Sequence, residues 1–125
     1  MNLVDSCGWI GYLADGENAD FFAIPLQDTE NLIVPSICIF EVFKKVLQDS
    51  GESSAFQVVA LMYQGQVIDL DMRLAIRSAE LSFELKLPLA DSVILATSKL
   101  CNSIIWTQDK HFKGMKDVKY IEKGR

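Results

Sequence analysis

Residues 89–112 read LADSVILATSKLCNSIIWTQDKHF, and this stretch indicates the fold class. Pro88, just before it, suits the first turn of a helix, and that helix would reach Cys101. Ile104–Trp106 then forms a short run that is apolar throughout, as in a parallel strand that is buried on both faces. A helix that leads directly into such a strand predicts a βαβ unit, and therefore a sheet with parallel strands.

The chain on the N-terminal side and the last residues repeat this alternation of short strands and longer helices. Further strands are predicted at Leu3–Val4, Leu32–Val34, Val67–Leu70 and, at an edge of the sheet, Val118–Ile121. Helices are predicted at Ser6–Leu13, at Glu17–Leu26, from an N-cap at Ser36 to about Asp49, at Glu52–Tyr63, and from a cap at Asp71 to about Lys86. We expect an α/β fold, a three-layer α/β/α sandwich with a short, mainly parallel central sheet, in which residues 1–125 form a single domain.

Composition restricts the class of protein further. Half of the 125 residues are hydrophobic, which is enough to build a core, and seventeen acidic against twelve basic residues give a formal charge of −5. That charge argues against binding nucleic acid by net charge alone, but not against binding it after cations are bound. No apolar run approaches the roughly 18–20 residues of a membrane span, and the N-terminus is not typical of a signal peptide. We therefore expect a cytoplasmic protein without a membrane partner.

Four carboxylates lie where the predicted strands end. Asp5 follows the first strand, Glu41 lies one and a half turns into the helix after Leu32–Val34, Asp91 lies in the first turn of its helix, and Asp109 follows Ile104–Thr107. In parallel α/β sheets the ligands collect at the carboxyl ends of the strands. The fold prediction thus places all four side chains near one edge of the sheet.

Each carboxylate by itself also has a structural interpretation. In chain order these are a cap for the helix at Ser6, ion pairs with Lys44 and Lys45, a favourable position in a helix dipole, and a cap for a turn through Lys110–Phe112. As a group, however, the carboxylates would repel one another, since two like charges 4 Å apart cost about 4 kcal/mol at an effective dielectric constant near 20. Protons or cations must offset that cost. Mg²⁺ or Mn²⁺ fits better than zinc, because the spacing gives these acids no histidine or cysteine ligand.

Four motifs around these acids resemble those of PIN-domain ribonucleases, above all the small, single-domain, VapC-type toxins of toxin–antitoxin systems. They are Leu3-Val4-Asp5-Ser6, Phe40-Glu41-Val42, the segment LADSVILAT at 89–97, and the segment WTQDKHF at 106–112. The third and fourth are the most specific, and the likeness runs from Leu3 to Ile121. One departure is Cys7, where these toxins often have Ser or Thr.

The resemblance implies a PIN-like fold and metal-dependent endonucleolytic hydrolysis of RNA. Asp5 and Asp91 would be the central ligands of Mg²⁺ or Mn²⁺, while Glu41 and Asp109 would act partly through water, and Glu41 would orient the nucleophile. The Ser6 and Thr107 hydroxyls would orient carboxylates or phosphate. Local backbone hydrogen bonds remain an alternative role for both hydroxyls. The resemblance further implies a homodimer and a cognate antitoxin whose tail blocks the site.

The charge of the chain is distributed unevenly. Residues 99–125 contain seven basic and three acidic side chains, so the preceding part carries the negative charge. Lys110 and Lys113 in this segment are therefore candidates for contact with an RNA backbone, with a solvated surface as the alternative. Lys44 and Lys45, one turn past Glu41, are further candidates. His111, the only histidine, has no recognisable Ser or Cys nucleophile to form a hydrolytic triad with, and we predict a structural or incidental role for it.

Two other functions compete with the nuclease. A receiver-type signalling domain also combines a doubly wound sheet with Mg²⁺, but it needs a phosphorylatable Asp at the end of its third strand. This chain offers only Asp69 and Asp71 there. A PIN-like protein without catalysis, acting only by binding, is the second alternative. Dinucleotide binding has no support, because the chain has no G-x-G-x-x-G.

Overall fold

The five predicted strands form one sheet in the computed structural model, which describes residues 1–124. The strands are β1 (Asn2–Val4), β2 (Leu32–Pro35), β3 (Gln66–Ile68), β4 (Ile104–Thr107) and β5 (Val118–Tyr120). All of them are parallel, in the order β3-β2-β1-β4-β5, so that β1 is central and β5 lies at an edge as predicted. The register pairs Leu3 with Ile33 on one side and with Ile105 on the other.

Within residues 1–124, six α-helices connect and flank these strands. They are α1 (Ser6–Leu13), α2 (Ala19–Leu26), α3 (Ser36–Ser50), α4 (Glu52–Met62), α5 (Met72–Leu85) and α6 (Leu89–Leu100). The same residues include two short 3₁₀ turns, Thr29–Asn31 and Lys110–Phe112. Consecutive residues of β2 and of β4 are buried although successive side chains point to opposite faces. Both faces of the sheet are therefore covered, and the three-layer α/β/α prediction is confirmed.

Helix α6 contains most of the buried residues of the segment 89–112 that indicated the fold. All eight residues from Asp91 to Ser98 are buried, including the three hydroxyl residues. Two of these hydroxyls donate back into the helix, Ser92 to the carbonyl of Pro88 and Thr97 to the carbonyl of Val93, so that their burial leaves no unpaired donor. Asp91 is thereby fixed in the first turn of a rigid helix.

The structure corrects several predicted boundaries. Ser36 is not the N-cap of α3, because its hydroxyl accepts a hydrogen bond from the Leu70 backbone N–H, at 3.2 Å, and Pro35 takes the capping position. This contact holds the chain after β3, which ends at Ile68 and not at Leu70. Helix α2 begins two residues later than predicted, since the Asn18 amide donates to Gln108 and to the Glu122 carbonyl. Pro88 is likewise the cap of α6 and lies just outside its first turn.

The order of the strands defines where a site can form. The chain leaves β1 towards β2 on one side, and leaves β4 towards β5 on the other, so the connections of these two adjacent strands diverge. A crevice opens at such a switch point, outside the carboxyl ends of the strands. Asp5 follows β1 and Asp109 follows β4, and both therefore lie at this point. Within residues 1–124, no helix is long and apolar enough to cross a membrane.

Candidate metal centre

The four predicted carboxylates are delivered to the switch point by four different elements. Asp5 is the N-cap of α1, Glu41 lies on α3, Asp91 lies on α6, and Asp109 is the N-cap of the 3₁₀ turn after β4. The site has two sides, which we name by their principal acids. The Asp5 side comprises Asp5, Ser6, Glu41 and Thr107, and the Asp109 side comprises Asp91, Asp109 and His111.

On the Asp5 side, hydrogen bonds hold the carboxylate in place. Asp5 Oδ1 accepts from the Ser6 backbone N–H at 2.7 Å, and Oδ2 accepts from the Thr107 hydroxyl at 2.7 Å. The Cys7 thiol also donates to Oδ2, at 3.5 Å. The capping role that the sequence offered as an alternative is thus real, and it coexists with a position in the cluster. Asp5 is buried.

Burial dominates the electrostatics of this carboxyl. It raises the pKa of Asp5 to about 6, against the hydrogen bonds from Thr107 and Ser6, which lower it, and the negative charge of Asp109 adds to the rise. Burial also raises the pKa of the Cys7 thiol to about 12, with the Asp5 charge as the second cause. Cys7 therefore remains a neutral donor at physiological pH.

Glu41 is joined to the Asp5 side through Ser6. Its Oε1 accepts the Ser6 hydroxyl at 2.6 Å, across a sequence separation of 35 residues. The structural alternative for Glu41 was wrong, because Lys45 pairs with Asp49 at 3.4 Å and no lysine within residues 1–124 pairs with Glu41. Ser6 thus uses its backbone N–H for Asp5 and its hydroxyl for Glu41, and connects two predicted metal ligands.

The Asp109 side brings two carboxylates and an imidazole together. Nδ1 of His111 lies 2.8 Å from Asp91 Oδ2 and 3.0 Å from Asp109 Oδ1. One ligand atom from each of these three residues lies within 4.8 Å of the others. Asp109 Oδ1 also accepts the His111 backbone N–H at 2.9 Å, so the predicted cap of the 3₁₀ turn is present as well.

The carboxyl of Asp91 is strongly perturbed. Burial, the largest cause, and the negative charges of Asp109 and Asp5 together raise its pKa to about 7, while the charge of His111 acts in the opposite direction. The pKa of Asp91 is therefore affected by acids from both sides of the site. Thr107 connects the two sides physically, since its hydroxyl donates to Asp5 and accepts the Asp109 backbone N–H at 2.9 Å.

Sequence reasoning missed two members of this site, His111 and Cys7. The sequence was interpreted as offering the acids no histidine or cysteine ligand, whereas the 3₁₀ turn folds His111 back onto Asp109, and Cys7, near the start of α1, donates its thiol to Asp5. The spacing Asp109-x-His111 could have indicated that the imidazole contacts Asp109, but only if the geometry of the turn had been known. For His111 the structure places the imidazole in contact with two of the predicted ligands.

The candidate RNA-contact lysines have different surroundings. Lys45 pairs with Asp49, and Lys113 lies 3.7 Å from Glu122 and over the Tyr120 ring. Lys44 and Lys110 are exposed and have no carboxylate oxygen within 4.0 Å among residues 1–124. These two are therefore free to contact a phosphate.

The donor set of the cluster fits a divalent cation. Asp5, Asp91 and Asp109 present carboxylate oxygens to one another, and the pKa of two of them is raised partly by the others' charges. Oxygen ligands suit Mg²⁺ and Mn²⁺. Such a cation would remove the repulsion that the raised pKa values record.

These features define a class of protein. It is a parallel α/β protein with a cluster of acidic side chains, able to hold a metal ion, at the switch point of its sheet. The receiver-type alternative finds no support in it, because Asp71 caps α5 and Asp69 is exposed beyond the edge strand β3. The sequence profile of the PIN domain matches residues 3–118. The chain belongs to the PIN domain family.

Solved structures agree with this assignment. A chain of a toxin–antitoxin complex from Klebsiella pneumoniae superposes with a TM-score of 0.81 at 25% identity, covering 98% of this chain and 99% of that one. VapC20 of Mycobacterium tuberculosis, described as a toxin that cleaves the sarcin–ricin loop, gives 0.76 at 12% identity and 98% coverage of both chains. DNA-bound VapBC from Salmonella typhimurium gives 0.72 at 15% identity, covering 97% and 96%. The last two identities show likeness of fold alone. No curated protein matches the chain by sequence.

Proposed function

We propose that this protein is a metal-dependent endoribonuclease and the toxin of a toxin–antitoxin pair. The observation that carries the proposal is the convergence of Asp5, Asp91 and Asp109 from three elements at the switch point of a PIN domain. Three neighbours in structure support it, since they are described as a toxin–antitoxin complex, an RNA-cleaving VapC toxin and a VapBC complex.

Asp5, Asp91 and Asp109 would hold the ion, Mg²⁺ or Mn²⁺, with Glu41 contributing partly through water. When bound, the ion supplies Lewis-acid polarisation of a phosphoryl oxygen and a lower pKa for water. The protein contributes rigidity to this site, because Asp5 is fixed by Ser6, Thr107 and Cys7. Carboxylates held in this way need little rearrangement when a phosphodiester arrives.

Glu41 is the residue that would orient the attacking water. Its Oε1 holds the Ser6 hydroxyl, while Oε2 has no hydrogen-bond partner within residues 1–124 and can accept a proton. In the hydrolysis, a water oxygen bonds to phosphorus and one of its protons passes to a carboxylate oxygen, while the bond from phosphorus to the 3′ oxygen breaks and the departing 3′ oxygen takes up a proton from solvent. The products are a 3′-hydroxyl and a 5′-phosphate.

RNA would reach the site past the basic side chains around it. Lys44 lies one turn beyond Glu41 on α3, and Lys110 follows Asp109 directly. Lys45 and Lys113, also predicted from the sequence, would have to leave exposed ion pairs, which are worth only about 0–1 kcal/mol. We therefore assign the larger share of phosphate contact to Lys44 and Lys110.

An antitoxin partner is supported by the same neighbours, one of which is described as a toxin–antitoxin complex and another as a VapBC complex. The acidic cluster needs a cation, and a Lys or Arg side chain of an inserted segment would offset its charge as a metal ion does. Such a segment would exclude RNA by occupying the site. Retention of the RNA-cleaving activity in the presence of excess partner protein would contradict this.

A homodimer is the second proposed assembly, and helix α5 supplies the surface. Met72, Ile76, Ala79 and Phe83 follow the 4-3-4 spacing of a helix–helix contact, and all are exposed, Phe83 by 87%. Beside this stripe, small residues of α5 and α6, together with Leu70, Leu89 and Val93, line a groove of about 350 Å³. A large side chain next to a groove of small residues is self-complementary under a twofold axis, which favours a second copy as the occupant. The molar mass in solution, measured by light scattering, tests this.

The decisive experiment for the function is cleavage of defined RNAs by the purified protein with Mn²⁺ and with a chelator. We expect cleavage in Mn²⁺ only, and a loss of more than about 100-fold in Asp5→Asn and in Asp91→Asn, since even the partners of metal ligands contribute 10–100-fold. Glu30→Gln, which removes an exposed charge outside the cluster, is the matched control and should cleave normally. Folded protein that binds RNA but never cleaves it would favour the alternative of a PIN-like binding protein.

A further inference from the structure

His111 occupies a position that the four-carboxylate description of this site does not explain. Its Nδ1 is 2.8 Å from Asp91 Oδ2 and 3.0 Å from Asp109 Oδ1, while the imidazole as a whole remains half exposed. A side chain that served only to fill the core would be buried, and a side chain that only paired with a neighbour would need one carboxylate. This imidazole faces two, and both are predicted metal ligands.

The two distances from His111 Nδ1 are those of neighbouring ligands around one small cation. Adjacent ligands of an octahedral ion with bonds of 2.0–2.1 Å are separated by roughly 3 Å. The two distances from Nδ1 agree with that separation. The same distances suit hydrogen bonds, so the geometry is compatible with a proton between these groups in one state and a cation in another.

The backbone prepares the imidazole for this position. The His111 N–H donates to Asp109 Oδ1, and the next residue, Phe112, is fully buried and anchors the 3₁₀ turn in the core. The turn therefore fixes where His111 starts, and a side chain with two torsion angles loses little entropy on meeting a ligand. Asp91 and Asp109 are themselves fixed at the start of α6 and at the N-cap of the turn.

We propose that His111 Nδ1 is a nitrogen ligand of the divalent ion at this site, and that it favours Mn²⁺ over Mg²⁺. The inference rests on the metal-binding part of the proposed function. Mg²⁺ takes hard oxygen ligands and keeps its waters, whereas transition ions accept imidazole. An imidazole added to the carboxylates of this site thus favours Mn²⁺ over Mg²⁺ more than carboxylates alone would.

The test measures coordination directly, in the intact protein loaded with Mn²⁺. Electron spin echo spectroscopy detects the nitrogen nucleus of a bound imidazole, and we expect this ¹⁴N signal in the wild type and its loss in His111→Gln. Lys110→Gln, a change at the neighbouring exposed residue, is the control and should retain the signal. In competition titrations, His111→Gln should reduce the preference for Mn²⁺ over Mg²⁺ by about 10-fold.

The outcomes separate this inference from the function. Mn²⁺ bound without a ¹⁴N signal, or an unchanged Mn²⁺ preference in His111→Gln, overturns the role of His111 even if RNA is cleaved. A ¹⁴N signal in a protein that cleaves no RNA supports His111 as a ligand and contradicts the nuclease function. Failure of the wild type to bind Mn²⁺ overturns both. Because His111 is exposed and its backbone contact needs no side chain, the variant should fold normally.

Discussion

The negative charge of the carboxylates is compensated differently on the Asp5 side and on the Asp109 side of the site. On the Asp5 side, Asp5 accepts hydrogen bonds from a backbone N–H, a hydroxyl and a thiol, all of which belong to the folded protein. On the Asp109 side, Asp91 and Asp109 face each other, and a single imidazole lies between them. The first arrangement is complete without a ligand, whereas the second still lacks positive charge.

This difference separates the parts that hold the site from the part that needs the ion. Donors around Asp5 are structural and should contribute to folding whether or not a metal is bound. The charges of Asp91 and Asp109 oppose folding until something neutralises them. We therefore expect substitutions on the Asp5 side to destabilise the protein, and neutralising substitutions on the Asp109 side to stabilise it.

The largest effect is expected for Thr107→Val, which removes the buried hydroxyl that joins the two sides. The Asp109 N–H and Asp5 Oδ2 would each lose a partner, and we expect the free energy of unfolding to fall by about 2–4 kcal/mol. RNA cleavage should fall about 10–100-fold, because Asp5 is no longer oriented. Urea unfolding and initial cleavage rates measure the two effects.

Thr107→Ser is the matched control for that substitution. It keeps the hydroxyl and deletes one buried methyl group, so we expect a loss of only about 1 kcal/mol and cleavage close to the wild-type rate. Equal losses in the Val and Ser variants would mean that Thr107 acts by packing, and would remove its role in coupling the two sides.

An intermediate effect is expected for Asp91→Asn, in the stability of the metal-free protein. The pKa of Asp91 is raised to about 7 in the folded protein, above its ordinary value of 3.8. The folded state therefore binds more protons than the unfolded state between about pH 4 and 7, and the wild type loses stability as pH rises through this window. Asp91→Asn removes the charge, and should raise the free energy of unfolding at pH 8 by on the order of 1–2 kcal/mol.

Urea unfolding in the presence of a chelator, at pH 4.5 and pH 8, checks this prediction. The gain from Asp91→Asn should be much smaller at pH 4.5, because Asp91 is then protonated and uncharged in the folded state, and only its ionisation in the unfolded state still favours unfolding. Glu30→Gln should change neither value. A destabilised Asp91→Asn protein at pH 8 would contradict the proposed contrast between the two sides.

The smallest effect is expected for Lys44→Ala, in RNA affinity. The measurement uses an Asp91→Asn background that does not cleave. Loss of one phosphate contact should weaken RNA binding by on the order of 3-fold, and should reduce the slope of the logarithm of the binding constant against the logarithm of the salt concentration by about one. Lys99→Ala, in the last turn of α6 and so at the far end of that helix from Asp91, is the control. Fluorescence anisotropy at several salt concentrations measures both. Equal weakening by the two variants would indicate that RNA binds without regard to the site.

The fold was predictable because short apolar strands and longer helices alternate from Leu3 to Ile121. Asp5, Asp91 and Asp109 were predictable too, because the parallel sheet places their segments at one edge. The pairing of Glu41 was not, since Lys44 and Lys45 are closer in sequence than Ser6, and only the packing of α1 against α3 brings the Ser6 hydroxyl to it.

His111 and Cys7 show why the site could not be completed from the sequence. Both follow a capping aspartate by two residues, and whether such a side chain returns to the carboxylate depends on the turn or helix that begins there. The capping and the metal-binding interpretations of Asp5 and Asp109 were also treated as alternatives, whereas the structure uses each carboxylate for a cap and still directs it into the cluster.

The central claim, that this acidic cluster is a divalent metal site, is tested most directly by calorimetric titration of the metal-free protein with Mn²⁺. We predict saturable binding by the wild type and by Glu30→Gln, and a loss of affinity of at least about 10-fold in Asp91→Asn, which removes a ligand from the Asp109 side. Binding of equal affinity in Asp91→Asn, or no binding by the wild type, would contradict the account.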